Sequence, residues 1–416
     1  MIKVKNVNWI DLDKGTIEVK DVELRSGDDK EIDGTQKYLM PGLVDMHTHI
    51  TPVSAKHYLA SGVTSVRNTG GNYELIQMMD DVAPHVYATY RFIDGDPGLW
   101  GPTSYGNVST NDINTALETV EELYNQDAKF IKVYGNIQED VLDAVVKRGD
   151  TLGLEVAADL LHSKSIDAMK ATEYGVKWLE HASSIVQHLF PRYHSQLSDD
   201  EFDEITSKPV DTDRLNDLLS YLLENGMKLV PTLTLYRHLV EGRTYSPPEL
   251  ITSKQMKLFE ADEQLSISAQ FEAIDAQLSA EFKKRQKWEY DQVKRVIGEY
   301  LEMDGEVYIG TDAPAGTWVY PGLSMIEELN EFKNFGLTEF EILRKATIEA
   351  KKIVGEDDGY ILLNQNPLEN FAHILDIDAI FLAGKILMYE DIKNHQVDSD
   401  SMMKKFEEIE EIYRQQ

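Results

Sequence analysis

The feature that most constrains this chain is a series of eight short β-rich runs separated by amphipathic or turn-forming stretches. They lie at 43–50, 63–67, 85–91, 129–134, 154–159, 177–181, 228–232 and 306–311. Such alternation implies βα units and a parallel sheet, because parallel neighbours need a crossover long enough to hold a helix. Eight units is the number at which this kind of sheet closes on itself. The expected fold class is therefore α/β, a (β/α)8 TIM-like barrel. Among the intervening stretches, the best helical spacing belongs to Leu215, Leu218, Leu219, Leu222 and Leu223, before a stop at Gly226.

A hydrophobic content of 42% in 416 residues is enough for one large core. Outside the barrel the pattern changes. Residues 1–40 show short strands with turns at Asp13-Lys14-Gly15 and Ser26-Gly27-Asp28. Residues 357–395 are strand-like again, with Tyr360-Ile361-Leu362-Leu363 and Ala379-Ile380-Phe381-Leu382. The expected division is a small β-sandwich domain from 1–40 with 357–395, a barrel over 41–356 with a helical insertion near 250–303, and a C-terminal amphipathic helix at 396–416. In that helix Met402, Phe406, Ile409 and Tyr413 share a face amid glutamates, which suits docking on the body or on a second copy in a homo-oligomer.

Composition narrows the partners. The balance of 41 Lys+Arg against 73 Asp+Glu gives a formal charge of −32, which repels phosphate backbones and anionic membrane surfaces. A small molecule is the expected partner, with neither nucleic acid nor membrane. No stretch approaches the roughly 20 apolar residues that span a bilayer. The first residues lack the apolar run of a signal peptide, so a cytoplasmic location is expected. The chain has no cysteine, so any metal must be held by histidine, carboxylate or modified lysine.

The strongest local signal is Asp45-Met46-His47-Thr48-His49. Alternate residues of a strand share a face, so His47 and His49 point the same way and suit one metal. In Phe130-Ile131-Lys132-Val133-Tyr134 the same alternation turns Ile131 and Val133 toward helices and Lys132 into the barrel. A lysine there loses its charge, pairs with a carboxylate, is modified, or reaches back to water. His181 and Asp312 end the sixth and eighth runs, at the barrel face where catalytic groups sit; each alone also suits a structural role. Arg67, Tyr134 and Tyr236 lie near the same ends and are candidates to hold a substrate carboxylate or carbonyl, with packing or ion pairing as the alternative. The turn-rich stretch Asp94-Gly95-Asp96-Pro97-Gly98-Leu99-Trp100-Gly101-Pro102 reads as a substrate-facing or surface loop.

These residues, together with Gly62-Val63-Thr64-Ser65-Val66-Arg67, Leu179-Glu180-His181, Val230-Pro231-Thr232-Leu233 and Gly310-Thr311-Asp312, give a chain that resembles the metal-dependent amidohydrolase superfamily over nearly its whole length. The likeness is greatest to the imidazolonepropionase and Xaa-Pro dipeptidase-like branch. The resemblance implies that His47 and His49 bind one metal, that Lys132 is carboxylated and bridges two, and that His181 holds the second. Asp312 would bind metal and shuttle the proton. One position departs from the pattern: Asp159 stands where the family has a metal-binding histidine, with His162 three residues on, so either is a candidate ligand. The implied cofactor is a divalent metal, one or two per chain, zinc first and manganese or iron as alternatives. The implied activity is metal-dependent hydrolysis of a carbonyl C–N bond in an amide, dipeptide or cyclic amide. A mononuclear deaminase or lactonase, or a binding relic whose metal site has degraded at Asp159, are the competing expectations.

Overall fold

The computed structural model describes residues 1–25, 29–99, 106–194, 197–241, 253–259, 276, 278–315, 319–355 and 358–415. The Ser26-Gly27-Asp28 turn, Trp100-Gly101-Pro102, Asp357 and much of the expected insertion lie outside these residues, as does the side chain of Tyr413.

The N-terminal segment is built around β1 (Ile2–Asp11), whose alternating Ile2, Val4, Val7 and Ile10 are buried. One edge of β1 takes antiparallel β2 (Thr16–Leu24). The other takes parallel β3 (Lys30–Asp33) and then β4 (Tyr38–Pro41).

From Leu43 the sheet order changes to parallel. β5 (Leu43–Thr48), β6 (Val63–Asn68) and β7 (His85–Ala88) form one sheet. β8 (Phe92–Asp94), β9 (Val108–Ser109), β10 (Ile131–Tyr134), β11 (Val156–Asp159), β12 (Trp178–Glu180), β13 (Lys228–Val230) and β14 (Glu306–Val307) form a second, in the order β14-β13-β12-β11-β10-β8-β9. Backbone hydrogen bonds connect the two. Lys129 N–H donates to Ala88 O at 2.8 Å, Met46 N–H to Ile309 O at 3.0 Å, and Asp312 N–H to His47 O at 2.8 Å. All eight runs contain strand, but the third stops at Ala88: beyond it the carbonyl of Tyr90 accepts from Gly71 N–H, so this backbone bonds to a loop, and β8 follows outside the expected run.

Period-two alternation decides what each parallel strand turns inward. Ile131, Val133, Val156, Ala158, Leu179, Leu229 and Ile309 pack in the same layer as the helical Leu215, Leu218, Leu219 and Leu222. Phe130, Ala157, Trp178, Val230 and Tyr308 join Val44 and Met46 in a separate interior cluster. One step further along the inward-facing series come Lys132, Asp159 and Glu180, all buried.

The helix Thr212–Glu224 starts at an Asp211 cap and buries those four leucines, whereas Leu223, placed on the apolar face by spacing, is 37% exposed at its border. In the expected insertion the described helix is Ala280–Glu302, and residues 253–259 hold only a short 3-10 turn, Met256–Leu258. β15 (Tyr360–Leu363), β16 (Ile377–Leu382) and β17 (Lys385–Met388) then return to β4, giving one sheet ordered β17-β16-β15-β4-β1-β2. Leu362, Ala379 and Phe381 pack there against Ile2, Val4, Val7 and Leu39. In the closing helix Ser399–Gln415, Met402 and Ile409 are buried and Phe406 is 40% exposed. Among the described residues no helix is long and apolar enough to cross a membrane.

Candidate metal centre

The inward-facing polar residues collect at the C-terminal ends of the parallel strands. His47 and His49 close β5, Lys132 lies in β10, Asp159 ends β11, and His181 and Asp312 follow β12 and β14. Several residues here hold left-handed backbone that side chains with a Cβ rarely adopt: His181 at φ 63°, Ala182 at 59°, Thr232 at 49° and Asp312 at 66°. Each conformation costs on the order of 1–3 kcal/mol, and such strain gathers where a site dictates the backbone.

Three groups, His47, His181 and Asp312, bring ligand atoms within 4.8 Å of one another, and all three are buried. His47 Nε2 lies 3.2 Å and His49 Nε2 3.0 Å from Asp312 Oδ1. His181 Nε2 lies 3.4 Å from Asp159 Oδ2. The rings of His47 and His181 stand 4.8 Å apart, centroid to centroid. Each imidazole is held from behind: His47 Nδ1 by Glu180 Oε2 at 2.7 Å, His181 Nδ1 by Thr232 Oγ1 at 2.7 Å, and His49 Nδ1 by Gly70 O at 3.3 Å.

Burial alone would raise the pKa of the carboxyls, but the hydrogen bonds and electrostatic attraction of neighbouring basic groups outweigh it. Burial against His181 and Lys132 leaves Asp159 lowered to about 2. Burial against His47, His49 and His181 leaves Asp312 well below the usual carboxylate range. Glu180 is held equally low by Arg67, His47 and Lys132, again against burial. The site therefore offers carboxylates rather than carboxylic acids at neutral pH. Two buried nitrogens, His47 Nε2 and Lys132 Nζ, have no hydrogen-bond partner. Buried polar atoms are normally satisfied, so this pair marks where a cation or a modified lysine would complete the chemistry. Two histidines and a carboxylate are an ordinary ligand set for a divalent metal.

The remaining candidates fall in different places. His162 is half-buried on the loop after β11 and does not join the ligand group. Arg67 is fully buried beneath the site, where Nη1 donates to Glu180 Oε1 at 2.9 Å and Met46 O at 3.2 Å. That removes it from substrate reach. Tyr134 is buried on the same strand face as Lys132, whose Nζ stands 5.0 Å from its ring centroid. Tyr236, in the helix Leu233–Glu241, donates its hydroxyl to His181 O at 3.1 Å and so braces the backbone of His181.

Sequence reasoning gave no role to Glu180, Thr232 or Glu289. Glu180 was within reach of it, since a charged residue two positions after Trp178 on a buried strand faces inward as Lys132 does. Glu289 had no such signal. It comes from the helix Ala280–Glu302, accepts from Tyr193 Oη at 3.0 Å, and burial pushes it up to about 7 within electrostatic range of His181 and Asp159.

No protein-family model matches the chain, and no curated protein matches its sequence. Solved structures match its fold. A structure named bottromycin amidohydrolase superposes with a TM-score of 0.70 at 20% identity, covering 94% of this chain and 87% of that one. A Xaa-Pro dipeptidase with methionine bound in its active site gives 0.63 at 16% identity over 93% and 99% of the two chains. Molinate hydrolase gives 0.61 at 12% identity over 95% and 96%. The chain thus has the fold of prolidase-like amidohydrolases.

Proposed function

We propose that this chain is a metal-dependent hydrolase of carbonyl C–N bonds, built on a closed (β/α)8 barrel. The observation that carries the reading is the convergence of His47, His181 and Asp312 on one buried space, together with a buried Lys132 Nζ that makes no hydrogen bond. The backbone bonds from β5 to residues 309–313 support closure of the barrel, and the hydrolase neighbours support the reaction class.

His47, His49, His181 and Asp312 would hold the metal, Asp159 would stand in for the family's histidine, and Lys132 as a carbamate would add an anionic ligand. A bound divalent metal supplies Lewis acidity, which acidifies water and polarises a carbonyl. The chain supplies the proton handling. Asp312, kept ionised by its histidines, takes a proton from the attacking water and delivers it to the leaving nitrogen, so one water and one amide give an acid and an amine. Lys132 forms a carbamate only as the neutral amine, and its lack of any hydrogen bond leaves Nζ free to react. The small β-domain (1–40 with 357–395) and the barrel (41–356) are the units this reading assigns.

A one-metal enzyme, a deaminase or lactonase, is the second reading. It is favoured by the ligand group, which holds His47, His181 and Asp312 without Asp159. Metal per chain, measured by plasma mass spectrometry on protein purified without chelator, separates the readings. About two supports the binuclear hydrolase, and about one the mononuclear enzyme. None, even after zinc, manganese and bicarbonate, overturns both and leaves a binding relic.

A further inference from the structure

We infer that Glu180 and Arg67 form a charged brace that sets the tautomer and donor strength of His47, making it the firmest metal ligand of the site. This rests on the metal-dependent reading above. The acceptor facing His47 Nδ1 is a carboxylate oxygen at 2.7 Å, and Glu180 is fully buried. A carboxyl group whose other oxygen takes a guanidinium N–H at 2.9 Å accepts rather than donates, which places the imidazole proton on Nδ1 and the lone pair on Nε2. Nε2 is the nitrogen that faces Asp312 and has no hydrogen-bond partner. The tautomer needed for ligation is thus chosen from behind.

Glu180 is itself held. Its other oxygen accepts from Arg67 Nη1 at 2.9 Å, and Arg67 also donates to Met46 O, on the residue preceding His47. The Arg67 guanidinium carbon lies 4.1 Å from the Phe130 ring centroid and 4.3 Å from that of Trp178. Clamped between two rings, the guanidinium cannot rotate away, and it balances the carboxylate that would otherwise be stranded in the interior. His181 and His49 lean instead on a neutral hydroxyl and a backbone carbonyl. An anionic partner raises imidazole basicity more than a neutral one, so His47 is set apart.

Glu180→Gln alone strands the Arg67 charge and is expected to lower the stability of the metal-free chain. The informative variant is Arg67→Met/Glu180→Gln, which removes both charges while leaving an amide oxygen to accept from Nδ1. Zinc affinity is measured by competition with a chromophoric chelator, alongside the melting temperature of each metal-free protein. The expected result is a loss of roughly 10- to 100-fold in affinity for the tighter ion with the double variant still folded. Affinity within threefold of wild type in a folded double variant overturns the brace. A double variant that does not fold moves the comparison to Arg67→Lys, which keeps the charge but not the ring-clamped fork; wild-type affinity there overturns the clamp. A wild-type chain that binds no zinc sinks the metal reading itself, a separate and recognisable outcome.

Discussion

Glu328 ties the core to the site, and its protonation gives stability a pH dependence that can be isolated. From the helix Leu323–Phe332 it accepts from Leu233 N–H at 2.9 Å and Thr234 N–H at 2.6 Å, capping the helix that carries Tyr236 toward His181. Burial pushes its pKa up from 4.5 to about 8, with those hydrogen bonds opposing and Glu331 adding to the rise. The folded chain therefore keeps a proton that the unfolded chain releases above its ordinary value. Stability falls as pH rises from about 4.5 to about 8, and is fully retained only below that window. At about 1.4 kcal/mol per pKa unit, the integrated loss is on the order of 5 kcal/mol. Glu328→Gln cannot ionise, but it loses one acceptor, worth roughly 1 kcal/mol. The variant should thus be slightly less stable than wild type at pH 5 and more stable at pH 9. Thermal or urea unfolding of both proteins across that range measures the difference, in which the other titrating groups cancel. Parallel curves from pH 5 to 9 would refute the argument that this carboxyl is buried and protonated.

Three further outcomes follow from the site. Asp312→Asn should lower turnover by about 10²- to 10⁴-fold while the chain still folds, as expected for loss of a proton carrier; steady-state rates that match wild type would remove Asp312 from that role. Lys132→Met removes a positive neighbour of Asp159 and Glu180 along with the amine, so it should lower the melting temperature of the metal-free chain and reduce the metal per chain measured by mass spectrometry; metal content equal to wild type would remove Lys132 from the site. Gly310→Ala would put a Cβ 2.6 Å from His47 N and 2.8 Å from Val230 Cγ1, so it should displace β5 and lose metal as well as melting temperature; an unchanged metal affinity would contradict the close approach.

The strands were legible because buried parallel strands are short apolar runs whose alternation survives in the residue order: Ile131 and Val133 outward, Lys132 inward. His47, Lys132, His181 and Asp312 could be found for the same reason, being polar residues on inward-facing or end positions of such runs. For Arg67 the geometry fits the ion-pairing alternative, since position near a strand end does not reveal depth and its head lies between Phe130 and Trp178 against Glu180. His162 looked like a replacement for a missing ligand, yet three residues beyond the end of β11 the chain is a loop with no strand alternation to aim the side chain. The left-handed backbone at His181, Thr232 and Asp312 had no glycine or asparagine to announce it, since tertiary contacts impose that conformation. Glu289 comes from far along the chain on a charged helix, where one more glutamate carries no mark of being inside.

Charge balance in the interior links the two open questions of the site, how many metals it holds and what state Lys132 is in. Four buried carboxylates, Asp45, Asp159, Glu180 and Asp312, stand with two basic side chains, Arg67 and Lys132, which with both protonated leaves two negative charges in the interior. Buried charge that is not balanced is expensive, so that space favours a cation. With Lys132 as an ammonium, one divalent ion cancels those two charges. With Lys132 as a carbamate the protein charge becomes four negatives, and two divalent ions again come to zero. Each state of the lysine therefore has its own metal count, and the intermediate combinations leave charge unbalanced. Metal content should accordingly rise from about one to about two when bicarbonate is supplied during loading, and only while Lys132 is present. Two metals bound without carbon dioxide would show that Asp159 alone completes the second position.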